Sequence, residues 1–418
     1  MITLNIVGLI VEYNPLHNGH AYHFREAKRR ADADAAVAVM SGDFLQRGEP
    51  ALVNKWARTE MALQLGIDLV LELPVSYAVQ PAEWFAHGAA ALLDATGVVS
   101  HLCFGSESGE LPVLSELAAL LASESGALQA ALAEELATGA SYPRAYAAAA
   151  ARAFAAAGGL GGDVDAARLL LEQPNNSLGL HYLIALRRLQ SGITPLTLQR
   201  QGAGYRDERP RDASIASATA VRRLITGGGS LDAAAAYLPP FTLEILQREF
   251  AAGRGPMHWD RFSQPLFSRL LAAAPEELAG QLEMNEGLEY RIRKVLPKLE
   301  QATITELVGL LKTKRYTHTK LQRTLLHTLL GHSQQIGSRE ILSAGPHYLR
   351  VLGFNERGQQ LLKQMKKTAK LPVITRAADL SHPQLDADIR ASAVYANAMP
   401  KRTGFDLFRD YRQAPIRL

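Results

Sequence analysis

Two histidines three residues apart, His17 and His20, flank Asn18 and Gly19 near the start of the chain. Imidazoles at this spacing lie on one face of a helix, and glycine lets the backbone approach a bound group closely. A helix N-terminus also presents unpaired N–H groups and the positive end of its dipole to anions. The motif therefore predicts a nucleotide phosphate site in which both imidazoles donate hydrogen bonds to a pentacovalent α-phosphate. A surface pair that caps a helix is the alternative.

The neighbouring residues supply the elements that such a site needs. The largely apolar run from Leu4 to Val11 predicts a buried strand at the centre of a parallel sheet. Asn14 and Pro15 end this run, and the residues from Ala21 to Lys28 suit a helix. A strand, a tight turn and a helix start favour the phosphate site over the surface pair.

The stretch from Val7 to His20 resembles the HxGH motif of the nucleotidylyltransferase superfamily, whose members activate substrates by adenylylation on a Rossmann-like α/β fold. The wider sequence is similar to the bacterial tRNA(Met) cytidine acetate ligase family over nearly the whole chain. Besides the histidine motif, the similarity is carried by Met40 to Val53, Lys55 to Arg58, Glu72 to Pro74, Phe104 to Glu107, Pro174 to Asn176, Gly202 to Tyr205 and Lys312 to Thr317.

The resemblance implies an ATP-dependent ligase. It would join acetate to the 4-amino group of the wobble cytidine of elongator tRNA(Met), giving N4-acetylcytidine through an acetyl-adenylate. ATP with Mg²⁺ is the implied cofactor, although no carboxylate cluster identifies the ligands of the metal. The residues implied to hold the nucleotide are Val7, Gly8, Leu9, Ile10, Val11, Glu12, Tyr13, Asn14, Pro15, Leu16, His17, Asn18, Gly19, His20, Gly105, Asn175, Arg200, Ser217 and Thr219, and those for catalysis are His17, His20, Asp43 and Arg222.

A second group of small, hydroxyl-bearing and cationic side chains runs from Ile215 to Arg222. Ser217 and Thr219 can donate hydroxyls to phosphate, and Arg222 supplies a fixed positive charge. The string resembles the ISSTxxR-type motif that closes nucleotide sites in this superfamily, but Ala218 separates its two hydroxyl residues. It is also an ordinary helix start, so its position after a strand and a glycine-containing loop favours the site.

Ser41 to Asp43, Gln46, Arg47 and Lys55 form a polar cluster after a predicted strand. Asp43 could orient a metal ion or a substrate amine, and Arg47 or Lys55 could hold a carboxylate. A solvated loop with salt bridges explains the cluster equally well.

Three further positions fit the nucleotide-binding pattern of the family. Gly105 follows a strand end, where glycine permits close contact with adenine or ribose, although a plain strand-to-loop glycine is the alternative. Arg200 and one of two adjacent asparagines are also expected at the nucleotide. We predict Asn175 for this contact, because Asn176 could instead be the N-cap of a helix.

Positive charge is concentrated in the second half of the chain. Residues 1–230 carry 18 lysines and arginines against 23 acidic residues, whereas residues 231–418 carry 27 against 18. This balance favours docking of a polyanion on the second half, although ordinary variation in surface charge also produces such differences.

The segment from Lys312 to Arg323 is the densest in positive charge. Its cations could contact phosphates while an aromatic ring stacks on an unpaired base, and a merely solvated basic face is the alternative. Because the first half indicates adenylylation, we predict tRNA binding. The residues predicted to bind it are Lys312, Lys314, Arg315, Tyr316, Lys320 and Arg323, with a second basic run at Lys363, Lys366, Lys367 and Lys370.

Alternating strand and helix patterns in the first half predict right-handed parallel βαβ units. Ligands of such sheets bind at the carboxyl ends of the strands, where His17, Asp43 and Gly105 would converge. The three glycines from Gly227 to Gly229 indicate the boundary. We therefore expect a catalytic, Rossmann-like ATP-binding domain over residues 1–230 and a mainly helical, basic tRNA-binding domain over residues 231–418.

Composition sets further limits. The 418 residues are 47% hydrophobic and predict two or three domains. The single cysteine, Cys103, excludes an internal disulfide framework and a cysteine-based zinc site, and it suits a buried thiol in a strand. No apolar run reaches the ~18–20 residues that cross a bilayer. Glu12 interrupts the first apolar segment, which lacks a basic flank, so we expect a cytoplasmic protein without a secretory signal.

Two other functions remain open. A nucleotidylyltransferase that acts on a small phosphorylated metabolite would use the same motif, but it would not need the 188-residue basic second half. A non-catalytic RNA-binding protein could retain an old nucleotide fold. The presence of His17, His20 and Arg222 argues against that second possibility.

Overall fold

A mostly parallel β-sheet forms the centre of the molecule, in a computed structural model that describes residues 4–123, 126–140, 142–200, 216–227 and 230–418. Its strands within these residues are β1 (Ile6–Val11), β2 (Ala35–Ser41), β3 (Leu69–Leu73), β4 (His101–Ser106), β5 (Thr194–Gln199), β6 (Leu349–Phe354), β7 (Val373–Ile374) and β8 (Ile416–Arg417). They lie in the order β5-β4-β1-β2-β3-β6-β7, with β8 also against β6. Neighbouring strands are parallel except for β3 and β6.

Helices connect the parallel strands of the first half, so the α/β prediction is confirmed. One of these helices begins at Pro174, where proline suits the first turn. The described helices of this half are α1 (Asn18–Arg30), α2 (Lys55–Leu65), α3 (Val75–Ala78), α4 (Ala82–Ala95), α5 (Leu111–Ala122), α6 (Gly126–Ala137), α7 (Tyr142–Ala156), α8 (Val164–Glu172), α9 (Pro174–Arg188) and α10 (Ala218–Thr226).

The second half is mainly helical, as expected. No described helix is both long enough and apolar enough to cross a membrane. The described helices of this half are α11 (Leu231–Ala234), α12 (Pro240–Ala251), α13 (Ser263–Ala272), α14 (Pro275–Ala279), α15 (Leu288–Val295), α16 (Ile304–Leu311), α17 (His318–Leu330), α18 (Arg339–Ser343), α19 (Glu356–Thr368), α20 (Pro383–Asn397), α21 (Gly404–Leu407) and α22 (Arg409–Arg412).

The second half also extends the sheet. A short strand is expected from Leu371 to Thr375 and is present as β7, whereas the sequence pattern did not reveal β6. Strand β6 pairs antiparallel with β3, and β7 and β8 pair with β6. Each residue of β6 is buried, so the strand lacks the polar–apolar alternation that would distinguish it from a buried helix. The domain boundary expected near residue 230 remains a prediction.

Both faces of the sheet are covered by apolar layers. Along β2, Val37 and Val39 belong to one hydrophobic cluster, whereas Ala36, Ala38 and Met40 belong to the other. This alternation follows from the two-residue period of a strand. Burial on both faces explains why the central strands are apolar throughout.

Four buried charges connect the two halves across β3 and β6. The Lys55 ammonium lies 2.7 Å from Glu72 and 2.7 Å from Asp410, while Arg350 lies 3.0 Å from Glu72 and 3.1 Å from Asp410. None of these side chains is more than 4% exposed. The four form a closed network that fastens α2, β3, β6 and α22 together.

Candidate active site

A cavity of about 560 Å³ opens at the carboxyl ends of β1, β4 and β5. Strand β1 pairs with β2 on one side and with β4 on the other, so the chain reverses its direction across the sheet between β1 and β4. Ligands of open α/β sheets bind in the crevice at such a point. The cavity therefore lies where the fold itself favours a binding site.

His17 and His20 stand at the start of α1 on the wall of this cavity. The Nδ1 atom of His17 accepts a hydrogen bond from the Gly19 backbone N–H at 3.0 Å. The Nδ1 atom of His20 accepts one from the His17 backbone N–H at 3.3 Å. The two rings lie 3.8 Å apart between centroids. The histidines thus form a reciprocal cap of the kind usually made by serine and glutamate.

This cap determines the protonation of both rings. A neutral imidazole whose Nδ1 accepts a hydrogen bond carries its proton on Nε2. Burial, reinforced by Arg200 and Arg222, lowers the pKa of His17 to about 3. Burial and the neighbouring His17 likewise hold the pKa of His20 well below its usual value. The site therefore holds two neutral Nε2–H donors.

A third histidine, His23, also lines the cavity, and the sequence interpretation missed it. Burial and Arg200 lower its pKa to about 4, and its Nε2 has no hydrogen-bond partner among the described residues. The signal was present in the sequence, because His17, His20 and His23 follow each other at intervals of three residues.

Arg222 reaches the cavity from the first turns of α10. Its guanidinium donates to the Asn14 backbone oxygen at 2.9 Å and lies 3.3 Å from the Glu49 carboxylate. Ser217 caps this helix by accepting from the Ala220 N–H, and Thr219 lies 3.5 Å from Arg222. The predicted Ser217, Thr219 and Arg222 therefore meet at one wall, whereas Ile215 and the Gly202 to Tyr205 stretch lie outside the described residues.

Asn14 leaves a donor without a partner at this wall. Its Oδ1 accepts from the Leu52 backbone N–H at 2.7 Å, but its Nδ2 has no partner among the described residues although Asn14 is only 3% exposed. A buried amide without a partner is costly. A ligand oxygen in the cavity would remove that cost.

Gly105 and Arg200 are neighbours at the ends of β4 and β5. The Arg200 N–H donates to the Ser106 oxygen at 2.9 Å, which fixes the two strand ends together. A Cβ atom at residue 105 would lie 3.3 Å from the Arg200 Cγ. Glycine therefore leaves room for the arginine stem to cross the strand end at the cavity wall.

Asn175 and Asn176 have different surroundings. Asn175 lines the cavity and donates through Nδ2 to Glu107 at 2.6 Å. Asn176 is 1% exposed and accepts from the Glu107 N–H at 2.9 Å. The helix N-cap is Gln173 rather than Asn176, because Pro174 already begins the helix. Asn175 is thus placed to meet a ligand, and Asn176 fastens the loop after β4.

Several residues of the predicted nucleotide stretch do not line the cavity. Val7 and Leu9 point into the apolar layer, and Gly8 packs against Leu93 and Val99. Pro15 and Leu16 are buried, and Asn18 donates to the Ala236 oxygen at 3.0 Å. The predicted residues that do line it are Ile10, Val11, Glu12, Tyr13, Asn14, His17, Gly19, His20, Gly105, Asn175, Arg200, Ser217, Thr219 and Arg222.

Asp43 also lies outside the cavity lining. Its carboxylate accepts from the Lys55 backbone N–H at 2.6 Å at the start of α2, and it is 5% exposed. Lys55 is fully committed to Glu72 and Asp410. Ser41, Asp43 and Lys55 of the predicted polar cluster are therefore buried, whereas Gln46 and Arg47 line the cavity. The catalytic role of Asp43 remains a prediction.

The basic segment adjoins the cavity. His318, Thr319 and Gln322, at the start of α17, belong to the cavity wall, and the loop at Gly48 packs against the same helix. The sequence did not indicate this contact, because about 270 residues separate Gly48 from α17. Only the folded chain brings the two together.

The six predicted RNA contacts differ in exposure. Lys312, Lys314 and Arg315 are exposed. Tyr316 is 7% exposed, its hydroxyl donates to the Glu286 oxygen at 2.6 Å, and the Lys320 ammonium lies over its ring at 5.5 Å from the centroid. Arg323 is 8% exposed and pairs with Glu283 at 2.7 Å. Lys312 and Lys314 are thus directly available to a polyanion, whereas Arg315 lies 3.1 Å from Glu286. Stacking on Tyr316 would require its ring to be uncovered.

Two further predictions concern the single cysteine and the possibility of a metal site. Cys103 lies buried in β4 as expected, and burial raises the pKa of its thiol to about 12. Within the described parts of the chain, no group of three or more His, Cys, Asp or Glu side chains could hold a metal ion.

Comparison with known proteins gives one consistent family. Residues 4–407 match the model of the family described as HIGH Nucleotidyl Transferase. A tRNA(Met) cytidine acetate ligase of Acetivibrio thermocellus is 42% identical over 381 residues, covering 90% of this chain and 89% of that protein. The enzyme of the same name from Bacillus licheniformis is 41% identical over 418 residues, covering 99% and 97%.

Solved structures agree with these sequences. The crystal structure of Thermotoga maritima TmcAL in its apo form I has a TM-score of 0.92 and 35% sequence identity, covering 99% of this chain and 100% of that one. The same protein bound with alpha-thio ATP has a TM-score of 0.89 and 34% identity, with the same coverage.

Proposed function

The chain belongs to the HIGH Nucleotidyl Transferase family and to the tRNA(Met) cytidine acetate ligases within it, and from this premise we propose how its cavity works. The protein is an ATP-dependent ligase that activates acetate as acetyl-adenylate. It then transfers the acetyl group to the 4-amino group of the wobble cytidine of elongator tRNA(Met), forming N4-acetylcytidine.

In the first step, an acetate oxygen attacks the α-phosphorus of ATP and pyrophosphate leaves. Negative charge increases on the oxygens of the pentacovalent centre. The Nε2–H groups of His17 and His20 are neutral donors held by the backbone at the start of α1. Such preorganised donors stabilise developing charge without reorganisation during the reaction.

The remaining wall supplies fixed charge and further donors. Arg200 and Arg222 approach from β5 and α10, and the N-termini of α1 and α10 favour anions at the same cavity. Asn14 adds the Nδ2 donor that lacks a partner among the described residues. Gly105 and Asn175 would contact the nucleoside, on the side of β4 and α9.

Mg²⁺ would accompany ATP, but the residues that the structure describes supply no dedicated site for it. The described carboxylates on the cavity wall are Glu12 and Glu49, and Glu49 already pairs with Arg222. An ion held mainly by phosphate oxygens and water needs no such site. Its role would be to neutralise the phosphates.

The tRNA would approach along the basic segment at the start of α17. This segment reaches the cavity through His318 and Gln322 and exposes Lys312 and Lys314 nearby. Contacts from these cations to phosphates would orient the anticodon loop without reading its sequence. A tRNA substrate also indicates that the protein works in the cytoplasm.

One observation carries the proposal: both histidines of the motif present an Nε2–H donor in one cavity at the reversal point of the sheet. The test is acetate-dependent ATP–pyrophosphate exchange, measured with and without tRNA, for the wild type and His20→Ala. We expect a loss of about 100-fold or more in the variant, which is the usual effect of removing one such donor.

A matched control and a product analysis complete this test. His258→Ala removes an exposed histidine outside the cavity and should leave exchange unchanged. Nucleoside analysis of the tRNA should show N4-acetylcytidine only with ATP and acetate present. Exchange that required a phosphorylated metabolite in place of acetate would contradict the proposal.

A further inference from the structure

Glu12 is a carboxylate at the centre of the cavity whose role the first step does not require. It directly follows β1, and one of its oxygens accepts from the Gln46 backbone N–H at 2.8 Å. Arg58 donates to its backbone oxygen at 2.8 Å. The next residue, Tyr13, has φ +47, a left-handed conformation that turns the chain away. The main chain and the carboxylate of Glu12 are therefore both held in place.

The second oxygen of this carboxylate has no partner among the described residues. Glu12 lines the wall, and its Oε2 accepts no hydrogen bond from any residue that the structure describes. Glu49, the other described carboxylate on the wall, lies 3.3 Å from Arg222 and so has a cationic partner. Glu12 has no cation within salt-bridge distance among the described residues. Its free oxygen is available to a substrate.

ATP is not a suitable partner for that oxygen. A carboxylate and a triphosphate repel each other, and the repulsion is strong in a cavity shielded from water. An amine is the group that a carboxylate accepts from most readily. Adenine also carries an amino group, but the proposed function puts the nucleoside of ATP on the side of β4 and α9, whereas Glu12 follows β1. The amine left for Glu12 is the 4-amino group of the cytidine, which is the group acetylated under the proposed function.

We propose that Glu12 is the catalytic base of the second step and the residue that accepts the 4-amino group of the target cytosine. As the amine nitrogen attacks the acetyl carbon, the new C–N bond forms and the nitrogen becomes acidic. It passes one proton to the Glu12 carboxylate. The bond between the acetyl carbon and the phosphate oxygen then breaks, and AMP leaves with the electron pair.

The same contact explains the choice of base. A carboxylate accepts from the 4-amino group of cytosine but repels the 4-oxo group of uracil. A buried acceptor that a ligand leaves unpaired is also costly. Glu12 would therefore favour cytidine over uridine at the wobble position before any chemistry occurs.

The charges around Glu12 are compatible with proton acceptance. Burial raises the pKa of Glu12 above its ordinary value of 4.5, the Gln46 N–H opposes the rise, and Glu49 adds to it. The other groups that face it are Arg47 from the loop after β2, Arg58 from α2, Tyr182 from α9 and Arg222 from α10. A base is more effective when its pKa approaches the working pH.

The inference rests on the proposed function, and its test separates the two steps. Glu12→Gln keeps the size of the side chain and an oxygen for the Gln46 N–H but cannot take a proton. Exchange of ATP with pyrophosphate in the presence of acetate reports the first step. Acetyl transfer from preformed adenylate to saturating tRNA(Met), in a single turnover, reports the second.

We expect exchange within about threefold of the wild type and a transfer rate constant lower by about 100-fold or more. Wild-type transfer should accelerate as the pH rises through the raised pKa of Glu12, whereas transfer by the variant should not. Glu12→Asp, which keeps the charge but shortens the side chain, should transfer slowly and retain the pH dependence. Glu26→Gln, at a half-buried site outside the cavity, is the matched control.

Three results would overturn the assignment. Transfer by Glu12→Gln at the wild-type rate would show that no base is needed there. An equal loss of exchange and transfer would place Glu12 at ATP or its metal ion. A defect in tRNA binding that saturating tRNA removes would leave only a binding role. Absence of exchange in the wild type would instead contradict the proposed function itself.

Discussion

The two motif histidines owe their chemistry to the backbone of the helix that they begin. Each Nδ1 is occupied by a main-chain N–H, so the proton can only be on Nε2. Arg200 and Arg222 also disfavour a positive charge on His17. Under the proposed function, neutral donors and permanent arginine cations would therefore meet the charge on the phosphates. The imidazoles themselves do not ionise at neutral pH.

This arrangement predicts that neither histidine titrates in the physiological range. Because the pKa of His17 is about 3 and that of His20 is also depressed, both should remain neutral between about pH 5 and 8. Nitrogen NMR of histidine-labelled protein should show an unprotonated Nδ1 in both rings throughout. The denatured protein provides the control, since its histidines should titrate near ~6.5. A transition near neutrality in the folded state would contradict this protonation.

At the scale of elements, the buried network of Lys55, Glu72, Arg350 and Asp410 connects the short α22 to the sheet. A buried ion pair contributes little compared with an apolar replacement, but the loss of one partner leaves a charge uncompensated. Here the loss of one carboxylate would leave two cations with a single partner. The position of α22 thus depends on all four charges.

Asp410→Asn should lower the free energy of unfolding by about 3–5 kcal/mol. Urea denaturation followed by circular dichroism measures this value. Asp386→Asn, an exposed acid in the first turn of α20, is the matched control and should change it by less than about 1 kcal/mol. A loss at Asp410 no greater than that of the control would show that the network is not needed for stability.

The same carboxylate predicts how stability depends on pH. Burial opposes its ionisation, but Arg350 and Lys55 outweigh burial and lower the pKa of Asp410 to about 2. In the unfolded chain an aspartate has a pKa near ~3.9. The contribution of Asp410 is therefore present above about pH 4 and is lost as the pH falls towards 2. The stability difference between the wild type and Asp410→Asn should shrink over that interval.

How far the sequence could predict these elements depends on the range of the interactions. The histidine motif and the strands around it are local patterns, and residues 6–106 form the expected alternation. Strand β6 and the contact of α17 with the cavity depend on residues far apart in the chain. Lys55 resembled a surface cation because one of its two carboxylate partners, Asp410, lies 355 residues away in the chain. A single sequence does not contain such pairings.

At the scale of the whole molecule, the cavity lies between the first half and the basic segment of the second. The strand ends and α1 provide the chemistry, whereas α17 contributes one edge of the opening. Exposed cations just before α17 would hold RNA next to the opening. Adenylation and tRNA binding should therefore be separable by mutation.

Lys312→Ala combined with Lys314→Ala should weaken tRNA binding and leave acetate-dependent exchange unchanged. The logarithm of the tRNA-binding constant falls linearly with the logarithm of the salt concentration. Loss of one lysine that contacts a phosphate should make this slope shallower by about 1. Filter binding at several salt concentrations measures this slope. The pair Lys366→Ala and Lys367→Ala, on α19 and outside the cavity wall, is the comparison. An equal effect of both pairs would place the RNA elsewhere.

The antiparallel strand β6 also has a consequence for biosynthesis. A ribosome makes residues 1–230 first. Strand β3 pairs with β2 early, but it gains its second partner, β6, only when residues 349–354 have emerged, and Lys55 meets Asp410 later still. Until then the nascent chain exposes an open sheet edge and an ammonium group without one of its two carboxylates. Such edges invite pairing with other chains. The first half should thus depend on chaperones during translation and become protease-resistant only near the end of synthesis.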